Sequence, residues 1–136
     1  MKLVPYVFFN GNCAEAFAFY AKCLGGSVTG TFTYEGSPMA SHVPPEWGKK
    51  LMHAHVVLGG QELMGADSPP GRYGKPEGFS VSLGFQKPEE AERAFNALAE
   101  KGTVTMPFQK TFWSAGFGML EDRFGIPWMI NCEQAA

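Results

Sequence analysis

A repeat narrows the possible folds of this chain more than any other feature. Glu15-Ala16 and Glu90-Ala91 lie 75 residues apart, and Tyr20 and Phe95 share that spacing. Around each pair the sequence reads in one order: strand, helix, then three strands. Two such modules imply a duplicated α+β domain, because each helix needs strands of its own to cover. Module one spans about 1–68, a linker 69–78 and module two about 79–136, together one domain. An unrepeated ferredoxin-like α+β fold is the alternative.

Local signals supply the elements. Residues 3–9 read as a strand, followed by the turn Asn10-Gly11-Asn12. Asn12 can cap a helix, and Glu15 three residues later makes something close to a capping box. Cys13, Ala16, Phe17, Tyr20, Ala21 and Leu24 recur at helical spacing. Gly25-Gly26 closes that helix, where a positive φ is wanted. Strands are predicted at 27–34, 51–58 and 61–66, with Gly59-Gly60 as a hairpin turn. Residues 35–50, with Gly36, Pro38, Pro44, Pro45 and Gly48, read as one long loop. The pattern then restarts with a strand at 79–85. A helix opens at Pro88 with Ala91, Ala94, Phe95 and Leu98 as its stripe, and strands follow at 103–108, 115–120 and 126–132.

Composition excludes some functions. The net charge is −2 with no basic run, which argues against a nucleic-acid partner. No apolar stretch approaches the roughly 20 residues of a membrane helix, so no membrane partner is expected. Residues 1–9 are too short for a signal peptide and no cleavage site follows. Three cysteines without CxxC spacing point to a reducing compartment, the cytoplasm. Twelve Phe and three Trp are a heavy aromatic load, suited to a core and also to a ligand cavity.

The run Pro5-Tyr6-Val7-Phe8-Phe9-Asn10-Gly11-Asn12-Cys13-Ala14-Glu15-Ala16, then Phe19-Tyr20 and Leu24-Gly25-Gly26, resembles one superfamily. So do His53-Ala54-His55 through Leu63-Met64 to Asp67, and Asp122-Arg123-Phe124-Gly125-Ile126-Pro127-Trp128-Met129-Ile130-Asn131. The chain is similar to the vicinal oxygen chelate superfamily of glyoxalases, bleomycin-resistance proteins and extradiol dioxygenases, in its PhnB-like branch. The resemblance implies paired βαβββ modules whose strands curl into a U-shaped mixed sheet around a cleft, helices outside. It also implies a homodimer. Some relatives carry a ubiquinone-related methyltransferase label, but no G-x-G loop opens a helix after the first strand here.

Metal-using members take ligands from the first and last strands of each module. The offset of 75 puts the first-strand positions at Pro5 and Ser80, or Tyr6 and Val81 after a one-residue slip. The last strands offer Met129 in module two and Leu63 or Met64 in module one, with Glu62 as the nearest carboxylate. Divalent ions want imidazole, carboxylate or thiolate donors, which these positions lack. No metal and no cofactor are expected.

His53 and His55 lie two apart on a predicted strand and leave the same face. They form either a polar pair meeting a ligand or a solvent-facing, hydrogen-bonded pair. Cys13 sits at a helix N-terminus, where a thiol can be activated, but a small packed residue is the expectation. Met129 and Asn131 share one face of the last strand, opposite Trp128; if Met129 occupies the ligand position, those two face the cleft and Trp128 belongs to the core. Trp47 and Trp113 lie in or beside loops and suit a cleft mouth, or equally a core or dimer contact. The ligand-cleft candidates are thus Tyr6, Phe8, Trp47, His53, His55, Ser80, Trp113, Met129 and Asn131. The favoured reading is a small-molecule-binding protein without the usual metal. An enzyme using His53 and His55, with or without a displaced metal, is the alternative. An interaction module with a self-filled cleft is a third.

Overall fold

Apolar residues alternate with polar ones along the first module, and four strands form there. The computed structural model describes residues 1–133. These are β1 (Tyr6–Phe9), β2 (Gly26–Thr33), β3 (Leu51–Leu58) and β4 (Gln61–Asp67), with the helix α1 (Cys13–Leu24) between β1 and β2. They pair in the order β1-β4-β3-β2, with β1 parallel to β4 and the other pairs antiparallel. The second module repeats this with β5 (Val81–Phe85), α2 (Pro88–Ala99), β6 (Thr103–Gln109), β7 (Ser114–Glu121) and β8 (Pro127–Glu133). Its order is β5-β8-β7-β6, again with a parallel first pair. The two βαβββ modules are present, each with a four-stranded mixed sheet and one helix. By its contacts the chain divides into two compact units after Gly74.

In each unit the helix covers one sheet face. Cys13, Ala16, Phe17 and Tyr20 of α1 are buried. Phe17 meets Phe9 edge-on at 5.8 Å, above Gly65, where a Cβ would stand 2.8 Å from the Phe17 ring. Ala91, Ala94, Phe95 and Leu98 of α2 are buried likewise. Beneath them lie Trp128, Ile130 and Cys132 of β8. Each large apolar side chain moved from water contributes about 1.5–3 kcal/mol, so these faces hold most of the folding energy.

Two local expectations change. Asn12 stands at the N-cap of α1 but makes no side-chain cap hydrogen bond. The cap comes from Asp67, 1% exposed, whose Oδ1 accepts the Cys13 backbone N–H at 2.9 Å. A carboxylate answers both the orphan N–H and the helix dipole, which a neutral amide does less well. The same carboxylate accepts the Leu51 N–H through Oδ2 at 2.9 Å, and the Tyr34 hydroxyl donates to the Asp67 carbonyl. Asp67 therefore ties α1, β3 and β4 together. The long loop, in turn, holds two short 3-10 turns, Ala40–His42 and Pro45–Trp47. At the other end of α1, Gly25 takes the left-handed conformation, φ 69°, that the closing glycine was expected to supply.

The offset of 75 also needs refinement. The helices start 75 apart, but their buried faces superpose at 78: Cys13 on Ala91, Ala16 on Ala94, Phe17 on Phe95, Tyr20 on Leu98. On the strands, Tyr6 lies opposite Met64 and Ser82 opposite Met129, so Tyr6 and Ser82 correspond, 76 apart. A strand alternates faces at every residue, so a one-residue error exchanges the two faces.

Candidate functional site

Val7 and Phe9 of β1 are buried under α1, so Tyr6 and Phe8 point to the other face. There they are 38% and 50% exposed. On β3, Ala54 and Val56 are buried and His53 and His55 share the open side. The pairing of β2 with β3 sets Phe32, 60% exposed, directly across from His53. The result is an aromatic face around a histidine. The Tyr6 and His53 rings lie 5.6 Å apart, Phe32 and His53 6.2 Å, and Tyr6 and Phe8 5.2 Å.

The polar groups on this face form two connected sets. The Tyr6 hydroxyl lies 2.9 Å from His53 Nδ1. His55 Nε2 approaches Glu62 Oε1 to 3.3 Å, near enough for attraction but not aligned as a hydrogen bond. Glu62 Oε2 pairs with the Lys2 ammonium. The rings of His53 and His55 meet edge-on at 6.2 Å. Burial, aided by Cys13 and Tyr34 nearby, raises the Tyr6 phenol above its ordinary pKa, so it stays protonated and can donate. The Lys2 ammonium lowers Glu62; partial burial opposes it and His55 assists.

Beside this face, Phe32 also lines a surface depression of about 410 Å³ with Thr31, Thr33, Glu35 and Met52. A bulge between Phe32 and Thr33 skips Met52 in the pairing. Bulges re-aim side chains at sheet edges.

The remaining candidates stand elsewhere. Trp47 packs over Gly11 and under Lys50, whose ammonium lies 5.7 Å from the ring centroid. That places it at the β1–α1 turn, beyond the end of β1 opposite Tyr6. In the second unit, Met129 and Asn131 take the open face and Trp128 the core, 1% exposed. Met129 lies opposite Ser82 and Met119, and Asn131 opposite Gly84 and Phe117. Asn131 Oδ1 is buried with no hydrogen-bond partner. Ser80 precedes β5 and is half-buried. Trp113 meets Phe112 at 4.8 Å and Phe117 at 5.7 Å on the β6–β7 connection. Trp128 donates its indole N–H to Asp122 Oδ2 at 2.8 Å, while Asp122 Oδ1 accepts the Phe124 and Ile126 N–H groups. Cys13 is fully buried, and desolvation with the nearby Asp67 carboxylate pushes its thiol far up, which makes it a packing residue.

Sequence reasoning missed Phe32 and Lys2. Phe32 was one aromatic among several on its strand; only the cross-strand register brings it to His53. Lys2 lies before any predicted element.

The residues at the superfamily's ligand positions do not fit a divalent ion. The outward cross-strand pairs on the first and last strands are Tyr6 with Met64 and Ser82 with Met129. A phenol, a hydroxyl and two thioethers offer neither imidazole nor carboxylate. Among the described residues, no three His, Cys, Asp or Glu side chains gather as a metal-holding group. No helix among them is long and apolar enough to cross a membrane.

Paired βαβββ modules with one open face each define a glyoxalase-type domain, and comparison agrees. The model of the Glyoxalase/Bleomycin resistance protein/Dioxygenase superfamily matches residues 2–130, and the chain belongs to that superfamily. It is 35% identical to Protein YjdN of Escherichia coli K12 over 139 residues, covering 96% of this chain and 95% of that protein. The crystal structure of protein PA1353 from Pseudomonas aeruginosa is 48% identical, with a TM-score of 0.89 and 99% of both chains covered. The PhnB protein from Bacillus cereus, described as a 3-demethylubiquinone-9 3-methyltransferase, is 25% identical with a TM-score of 0.81, covering 97% and 99%.

Proposed function

We propose that this PhnB-like chain binds a small organic molecule on the open face of its first sheet, without the divalent ion of the metal-using members. The carrying observation is the pair of exposed aromatics Tyr6 and Phe32 flanking His53, with exposed Phe8 beside Tyr6. Exposed aromatic surface with a few placed polar groups is what a ligand site requires. We read the protein as a cytoplasmic homodimer that takes neither nucleic acid nor membrane as partner. Support comes from the net charge of −2, from Cys13, Cys23 and Cys132 forming no disulfide, and from outward apolar side chains such as Phe112. Thermal-shift screening against small aromatic and aliphatic compounds, with chelator and with added divalent ions, tests the binding. A compound that binds the native state raises its midpoint. Stabilisation independent of divalent ions supports the proposal; stabilisation only with a metal overturns it.

A second reading has its own observation. The 2.9 Å contact of Tyr6 with His53 could move a proton, making the chain a metal-free enzyme. Solvent deuterium entering an acidic C–H position of a bound compound, and failing to do so in Tyr6→Phe, distinguishes it from simple binding. The methyltransferase description of the Bacillus relative finds no counterpart in the β1–α1 turn, Asn10-Gly11-Asn12, which lacks the glycine-rich loop of a nucleotide site.

A further inference from the structure

We propose that Tyr6 locks His53 with its proton on Nε2, and that this N–H is a directed donor for a planar aromatic ligand carrying an oxygen acceptor. The inference rests on the open-face binding site above and names the class of molecule it takes.

The hydrogen bond between Tyr6 and His53 has two possible directions. In one, the phenol donates to Nδ1; in the other, Nδ1–H donates to the phenol oxygen. A phenol is a good donor and a weak acceptor, while an unprotonated imidazole nitrogen is a strong acceptor. Tyr6 remains protonated, because burial raises its pKa. The phenol therefore donates, Nδ1 accepts, and neutral His53 carries its proton on Nε2. Among the described residues Nε2 of His53 has no hydrogen-bond partner. It is a donor of defined position, held by a neighbour, with no protein acceptor.

Its surroundings set the shape of the partner. Tyr6, Phe8 and Phe32 provide exposed ring surface on either side of His53. Flat rings reward a flat molecule, since stacked or tilted aromatic pairs add to simple area burial. Glu62, on the same face, pairs with Lys2, and His55 Nε2 lies 3.3 Å from it without a hydrogen bond. The charge of the Glu62 carboxylate is already met by Lys2, so the ligand should bring the acceptor. A ring carboxylate or carbonyl meets that description, and a saturated or purely cationic analogue does not.

The test uses 2-naphthoate as the probe, with cyclohexanecarboxylate and 2-naphthylmethylammonium as controls, followed by NMR on the full chain. First, histidine ¹⁵N shifts of the free protein read the tautomer. A protonated Nε2 and bare Nδ1 at His53 is expected; the opposite tautomer overturns the lock. Second, 2-naphthoate should shift signals of His53 and Phe32, and both controls should bind at least about tenfold more weakly. Tyr6→Phe and His53→Phe keep a ring in place and should each weaken 2-naphthoate by about tenfold, the loss of one hydrogen bond or of its alignment. Unchanged affinity in His53→Phe overturns the donor role. Should 2-naphthoate fail while other fragments shift the same signals, the ligand class is wrong and the binding site stands. Should no fragment of a broad set shift them, the binding site falls as well.

Discussion

The phenol oxygen of Tyr6 and Nδ1 of His53 lie 2.9 Å apart although 47 residues separate them in the chain. Neither strand alone sets that distance. β1 runs beside β4, and β4 beside β3, so the pair spans the intervening strand. Met64 of β4 lies opposite Tyr6 on one side and His55 on the other, so Tyr6 reaches His53 on a diagonal rather than straight across.

Glu62 should titrate below the usual carboxylate range of about 4.5. Lys2 is the main cause, with partial burial opposing and His55 assisting. A depressed folded pKa means the pairing is present above the unfolded value and is lost as pH falls through the folded one. The ¹³C shift of the Glu62 carboxyl, followed by NMR from pH 7 to pH 2, should show its midpoint below 4.5. Lys2→Met should move that midpoint up; a midpoint unmoved by Lys2→Met contradicts the assignment.

Asp67→Asn should lower stability by about 2–3 kcal/mol, because one of two buried backbone N–H donors then faces an amide NH₂. Urea unfolding measures it. A loss below about 0.5 kcal/mol would show that the carboxylate does not cap α1.

Gly11 has φ 93°, and a Cβ there would stand 2.8 Å from the Trp47 ring. Gly11→Ala should cost about 1–2 kcal/mol from backbone strain and the displaced indole together. Tryptophan fluorescence should shift as Trp47 moves. In a Trp47→Phe background the cost of Gly11→Ala should shrink, since the smaller ring removes the steric part.

Cys13 should resist alkylation in the native state, being fully buried with its thiol pushed up by desolvation and Asp67. Iodoacetamide at pH 8 followed by peptide mass spectrometry should modify Cys23 well before Cys13 and Cys132. Rapid native labelling of Cys13 contradicts its role as a packing residue.

The element order was legible because its signals are local. Alternation at 51–58 matches β3 at both ends, and Gly59-Gly60 marks the hairpin that follows. The strand at 3–9 was overlong, since the run is apolar from Leu3 but pairing with β4 begins only at Tyr6. Strand β5 begins at Val81, two residues later than the alternation at 79–85 suggested. The site was half legible. Two histidines at i and i+2 must share a strand face, and they do. Their partners depend on register, which local patterns leave open when bulges intervene. The bulges between Val28 and Gly30 and between Phe32 and Thr33 decide that Phe32 meets His53. The helix cap failed for a related reason: Asn12 is the local candidate, but Asp67, 54 residues after Cys13, makes the bond. A single offset could not serve as a ruler because the turns between strand and helix differ in length in the two modules.

The most direct measurement is a crystal structure of the full chain purified without chelator and grown with divalent ions and 2-naphthoate, with anomalous data collected. The expected result is naphthoate density against Tyr6, Phe8 and Phe32, its oxygen within hydrogen-bond distance of His53 Nε2, and no anomalous peak at Tyr6–Met64 or Ser82–Met129. A metal ion bound at those pairs, or at His53 and His55, with the ligand held through it, would contradict metal-free binding on this face.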